Sequence, residues 1–166
     1  MPRPAQIAVC GASEGTAELA GLAERTGALL AGAGARVVCG GHGGVMEAVA
    51  RGAAGAGGEV IGILPGEELG AANEFVTHPI ATGVGHARNL AVVASSDAVI
   101  VLGGAWGTLS ELALARIVGR GVVLLRAPAG AAPASAAGEE ISEAGSPEEA
   151  VELALRLAAK RTEPAG

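Results

Sequence analysis

The chain has 166 residues, a usual length for one domain and enough to bury a core without disulfide or metal staples. Ala (38) and Gly (28) dominate it, against one Phe, one Trp and no Tyr, so it lacks the aromatic platform that stacks single-stranded nucleic acid. A net charge of -6 also argues against a generic DNA or RNA binder, which is normally basic.

Short β-like runs alternate with helical runs. Gln6 to Cys10 reads as a strand, Gly11 to Gly15 as a turn, and Thr16 to Ala33 as a helix with Leu19, Leu22, Leu29 and Leu30 on its apolar stripe. Arg36 to Cys39 is a second strand. The glycine loop Gly40-Gly41-His42-Gly43-Gly44 follows, then a helix from Val45 to Ala56. Val60 to Leu64 is a third strand, stopped by Pro65-Gly66. Residues 67–74 read as loop, Phe75 to Ile80 as a short strand, 82–85 as a flexible turn and His86 to Ser95 as a helix. Ala98 to Leu102 is a strongly apolar strand. Gly103-Gly104-Ala105-Trp106-Gly107 leads from it into a helix from Thr108 to Val118, and Val122 to Leu125 is another strand. Residues 127–138 are nearly all Ala, Pro, Gly and Ser and read as loop. Ser146-Pro147-Glu148-Glu149 then gives an N-cap, a first-turn proline and two acids that favour a helix start; Ala150 to Lys160 completes that helix.

This alternation predicts parallel strands joined by crossover helices. Wholly apolar strands such as Ala98 to Leu102 fit a sheet covered on both faces. The expectation is one three-layer Rossmann-like α/β domain over residues 1–166, with a mainly parallel sheet, loop-rich over 127–145 and frayed over 162–166. Ligands of such sheets bind at the carboxyl ends of strands, where all three glycine-rich turns fall.

The charged inventory narrows the chemistry. The single lysine, Lys160, lies in a charged C-terminal segment, which removes a pocket lysine for pyridoxal phosphate. One Asp is too few for a calcium or two-metal carboxylate cage. Three dispersed His, with Cys10 and Cys39 after separate apolar runs, form no metal-ligand spacing; each Cys reads as a small buried residue. Met1-Pro2-Arg3-Pro4 leads straight into a strand with no leader pattern, and no run reaches the roughly 18 residues of a membrane helix. The expectation is a soluble cytoplasmic protein with no membrane partner.

The strongest local signal is Gly103 to Glu111, which follows a buried strand and opens a helix. Glycines let backbone N–H groups approach a ligand, and the helix start adds unpaired donors and partial positive charge. Gly103, Gly104, Ala105, Trp106, Gly107 and Thr108 are therefore candidate phosphate ligands. The same pattern also serves as a plain strand-to-helix turn with Thr108 as cap. Glu111 can stabilise a cationic centre or position water, or act as an ordinary acid favoured by the helix dipole. Arg88 suits bidentate phosphate recognition or a surface pair. Ser13 in the first glycine turn, Gly40, Gly41, Gly43 and Gly44 in the second, and Asn89 complete the candidate ligand set. Neither turn matches the dinucleotide fingerprint, and no Walker A motif is present. His42 can contact ligand or face solvent, His86 can line the site, and Trp106 can cover a flat heterocycle or pack in a subunit contact.

Four ordered stretches carry a family resemblance: Gly40 to Ala48, Gly62 to Gly66, Thr82 to Asn89, and Gly103 to Glu111. On these the chain resembles the Lonely Guy group, often mislabelled "lysine decarboxylase", and within it the molybdenum cofactor carrier protein-like branch. The resemblance implies that the 103–108 loop binds phosphate and that Arg88 and Glu111 are the catalytic pair of a nucleoside 5′-monophosphate phosphoribohydrolase, which releases base and ribose 5-phosphate. Four positions depart from the hydrolase pattern. Gly103 stands for a proline, Ala105 for a glycine, Ser110 for the first of two acids and Asn89 for a lysine. These departures favour the carrier-like branch. That resemblance implies binding of a phosphorylated heterocycle such as the molybdenum cofactor as ligand, with no required cofactor, and a homodimer or larger homo-oligomer.

Overall fold

The structure, a computed structural model, describes residues 3–129 and 141–162. Its strands are the short, β-branched-rich segments: β1 (Gln6–Gly11), β2 (Arg36–Cys39), β3 (Val60–Leu64), β4 (His78–Ala81), β5 (Ala98–Leu102), β6 (Gly121–Arg126) and β7 (Ile141–Glu143). The helices between them are α1 (Ala17–Gly32), α2 (Val45–Gly55), α3 (Arg88–Ala94), α4 (Trp106–Ile117) and α5 (Pro147–Thr162). The strands form one sheet in the order β4-β3-β2-β1-β5-β6-β7. Every pair is parallel, with Ile7 registered against Val37 on one side and Ala98 on the other. This is the Rossmann-like α/β architecture expected from the sequence.

Alternate strand residues face opposite layers. Ile7, Val9, Val37, Ile100 and Leu102 pack with α1, α2 and α5; Ala8, Cys10, Val38, Val99 and Val101 pack with Val92 and Val93 of α3 and Ala115 of α4. Small residues let the helices lie close. A Cβ on Gly27 of α1 would sit 2.1 Å from the Val49 carbonyl oxygen, and one on Gly52 of α2 would sit 1.9 Å from that of Glu24.

Strand order places the crevice. From β1 the chain winds outward to β4, then returns beside β1 as β5 and winds the other way. The carboxyl ends of β1 and β5 therefore splay their loops apart, the usual ligand position in an open parallel sheet.

Several boundaries differ from the sequence reading, and α5 runs on through Thr162, a residue of the expected frayed end. The fourth strand is His78–Ala81 rather than Phe75 to Ile80. Asn73 accounts for this: its Oδ1 accepts from the Phe75 N–H at 3.1 Å and holds that residue in a turn. Pro79 is tolerated because β4 is an edge strand. Helix α3 starts at Arg88, after a single 3₁₀ turn over Gly85–Ala87. Helix α4 starts two residues early, at Trp106. Strand β7, three residues at the other edge, lies inside the segment read as loop, most of which (130–140) falls outside the described residues, as do residues 163–166. The α5 cap is as expected: Ser146 Oγ accepts from the Glu149 N–H at 3.2 Å, and Glu149 Oε2 accepts from the Gly145 N–H at 2.8 Å.

Candidate ligand-binding site

A cavity of about 260 Å³ opens at the β1/β5 crevice. The turn after β1 contributes Gly11, Ala12 and Ser13, and α2 contributes Met46. The 3₁₀ turn and α3 add His86, Arg88 and Asn89; α4 adds Ala105, Gly107, Thr108 and Glu111. A larger hollow of about 470 Å³ lies on α1 and α2. It is a shallow trough crossed by the Glu24–Arg51 ion pair and has no strand end beneath it.

The start of α4 carries donors. Its first helical bond runs from the Leu109 N–H to the Ala105 carbonyl at 2.9 Å, and no side chain caps the helix. The N–H groups of Trp106, Gly107 and Thr108 precede that bond and have no intrahelical acceptor. Thr108 is therefore not a cap. It is buried with its hydroxyl against Gly104, where a Cβ would lie 2.1 Å from Oγ1 and the backbone has φ +103°. Only glycine fits there. The Gly103 N–H instead donates to the Arg126 carbonyl at 2.8 Å, which draws the first residue of the loop into the sheet edge. Trp106 points outward, 85% exposed, over a separate hollow with Leu109 and Ala129.

Arg88 bridges two neighbouring strand ends. Its Nη1 donates to the Gly40 carbonyl at 2.5 Å and the Ile63 carbonyl at 2.6 Å, tying α3 to the ends of β2 and β3. Its Nε is buried without an acceptor among the described residues. A buried unpaired guanidinium donor is costly unless something bound there accepts from it.

The second glycine loop stands one layer behind this lining. Gly40 gives Arg88 room; a Cβ there would meet Nη1 at 2.4 Å. Asn73 Nδ2 donates to the Gly41 and His42 carbonyls at 3.2 and 2.8 Å. Gly44 abuts the Ala12 and Ser13 carbonyls, and the Val45 N–H donates to the Ala12 carbonyl at 2.9 Å. The loop thus holds Ser13 in place. Burial, then Arg88, lowers the His42 pKa.

Glu111 is buried, 8% exposed, on the cavity wall of α4. Burial raises its pKa to about 7, against the opposing pull of Arg88 and of the Cys10 thiol it faces. Burial and then Glu111 push the Cys10 thiol well above the usual range; Cys39, buried in the opposite layer, is raised by burial to about 11. Both cysteines are free and buried, as read from the sequence. Asn89, also buried, donates from Nδ2 to Ser110 Oγ at 2.9 Å, and Ser110 Oγ donates to the Gly107 carbonyl at 2.7 Å. Two of the four departures, Asn89 and Ser110, thus form one relay that pins the donor turn to α3.

The lining residues that sequence reasoning missed are Gly11, Ala12 and Met46. The first two lie in a turn already placed at the ligand edge. Met46, on the far side of the glycine loop, had no signal of its own.

The profile of the SLOG cluster4 family matches residues 4–154. The chain belongs to the SLOG cluster4 family. This SLOG cluster4 chain is 47% identical over 123 residues to an uncharacterized protein of Archaeoglobus fulgidus, covering 74% of itself and 81% of that relative. It superposes on the molybdenum cofactor binding protein of Rippkaea orientalis with a TM-score of 0.86 and 36% identity, covering 93% and 98% of the two chains. The Moco carrier protein of Chlamydomonas reinhardtii matches with a TM-score of 0.83 and 30% identity, over 95% and 99%. The SLOG cluster4 chain therefore shares its whole fold with carriers of this type. Among its described residues no helix is long and apolar enough to cross a membrane, and no three His, Cys, Asp or Glu side chains gather as a metal site.

Proposed function

We propose that the chain binds a phosphorylated heterocycle of the molybdenum cofactor type and acts as its carrier or store. One observation carries this reading: the uncapped start of α4, through Ala105, Gly107 and Thr108, lines a cavity together with Arg88, whose buried Nε lacks an acceptor among the described residues. A phosphate satisfies both sets of donors at once. A pterin phosphate fits these groups at its anionic end. The cavity, about 260 Å³, is just below the roughly 300–1,000 Å³ of typical ligand clefts, so the ring system extends toward its open rim. The likeness to a molybdenum cofactor binding protein and a Moco carrier protein supports the ligand class.

A second reading, hydrolysis of a nucleoside 5′-monophosphate, is favoured by Arg88 and Glu111 lining the same cavity. Kinship with the Lonely Guy hydrolases belongs to that reading and rests on motif alone. Exposed Trp106, Ile117 and Leu90 on α3 and α4 offer a second copy an apolar face, and a homo-oligomeric cytoplasmic protein is part of the proposal.

Native mass spectrometry of the purified protein reads bound ligand and subunit number together. The expected result is a copurified pterin phosphate, with or without molybdenum, on an oligomer. AMP serves as the binding probe: Arg88→Ala weakens it about 10- to 100-fold, the worth of a charge-assisted hydrogen bond. Adenine release from AMP that disappears in Glu111→Ala would decide for the hydrolase. A protein that copurifies with nothing and binds neither pterin phosphate nor AMP would overturn both readings.

A further inference from the structure

We propose that the site carries a proton gate: an anion is held on the donor turn of α4 while the Glu111 carboxyl beside it is protonated, and is expelled when that carboxyl ionises. The inference rests on the anion-binding reading above and adds its regulation.

Thr108 and Glu111 are three residues apart on one helix, so they share a face with Cβ atoms about 5–6 Å apart. Both line the cavity, and both are buried. An anion on the N–H groups of residues 106–108 therefore sits within one helical turn of the carboxyl. Two negative groups at that spacing, one of them buried, repel each other. A neutral carboxyl instead offers its O–H to an anion oxygen.

The groups around Glu111 relieve this conflict only in part. Cys10 faces it from β1, and the charge of Glu111 reaches Cys39 on β2; burial raises the pKa of both thiols. His86 and Arg88 line the same cavity from the 3₁₀ turn and α3, and His42 lies beyond Arg88 in the loop before α2. Arg88 is the fixed positive charge among them. Its Nη1 is held by the Gly40 and Ile63 carbonyls, and its charge favours the ionised Glu111 less than burial disfavours it. No ion pair within the described residues reaches Glu111. The carboxyl is a buried acid with a pKa of about 7, and it changes charge in the physiological range. Binding takes up one proton above that pH and none below it.

AMP binding by the wild type and Glu111→Gln, measured by calorimetry from pH 5.5 to 8.5, tests the gate. The ratio of the two Kd values cancels the titration of the phosphate itself. It should be flat at low pH and rise, wild type over variant, about tenfold per pH unit once Glu111 ionises. Sulfate, a dianion across this range, is the second probe and needs only the wild type. In buffers of different ionisation enthalpy, sulfate binding at pH 8 should take up close to one proton. A flat ratio, or sulfate binding without proton uptake, overturns the gate and leaves the anion site standing. Failure of the wild type to bind either probe at pH 5.5 overturns the anion site and the gate with it.

Discussion

Burying one acid makes Glu111 a stability element as well as a ligand group. Its pKa rises from the ordinary carboxylate value of 4.5 to about 7 because burial disfavours the charged form more than Arg88 and Cys10 favour it. The folded state therefore holds the proton more tightly than the unfolded chain does. That contribution is complete below about pH 4.5 and is lost as pH rises through about 7. The difference of about 2.5 pH units corresponds to on the order of 3 kcal/mol. Glu111→Gln cannot ionise, so its stability relative to wild type should improve by that amount between pH 4.5 and pH 8.5, read from urea unfolding. A difference that does not change with pH would show that the carboxyl is already charged at neutral pH.

At the scale of elements, the Ala- and Gly-rich composition becomes close helix packing. The contact of α1 with α2 is backbone on backbone at Gly27 and Gly52, and the Glu24 carbonyl occupies the space a Cβ on Gly52 would need. Gly52→Ala should cost about 1–3 kcal/mol, the usual penalty for overpacking, even though alanine is the better helix former. Thermal unfolding checks this; a variant more stable than wild type would mean that the two helices separate freely. The same elements show what a sequence can reveal. The apolar runs of β1, β2, β3, β5 and β6, and the Ser146-Pro147 start of α5, were legible because each carries its own local signal. Strand β4 shifted because Asn73, a side chain eight residues downstream of Pro65, diverts Phe75 into a turn. Strand β7 has three residues at an edge and follows a segment without apolar periodicity. In the site, Arg88, Glu111, Thr108 and Ser13 were legible because they lie on glycine turns at strand ends. The hold of Arg88 on Gly40 and Ile63, and the Asn89–Ser110–Gly107 relay, were not, since they join residues 21 to 48 positions apart.

At the scale of the molecule, the two ends of the sheet have separate tasks. The carboxyl end holds the ligand crevice, and the opposite end ties the two ends of the described chain to β5. Asp97, the one aspartate, immediately precedes that strand, with its side chain 1% exposed. It accepts two hydrogen bonds from Arg3, at 2.7 and 2.8 Å, and one from the Gln6 N–H at 3.0 Å, and Arg161 at the end of α5 lies 3.5 Å away. Burial alone would raise its pKa. The Arg3 and Gln6 donors and the charge of Arg161 together outweigh burial, and the pKa falls below the usual 3.8. Its contribution is therefore present above that pH and lost as pH falls through the lowered value. Asp97→Ala leaves the Gln6 N–H without its acceptor and two arginines without their shared carboxylate, and should cost about 3 kcal/mol by urea unfolding. A five-residue strand of roughly 16 Å separates Asp97 from the donor turn, so the folded variant should bind AMP within about twofold of wild type, inside the additivity expected of distant sites. Loss of binding in the folded variant would mean that the two ends of the sheet are coupled, and that the ligand crevice depends on how the chain ends are anchored.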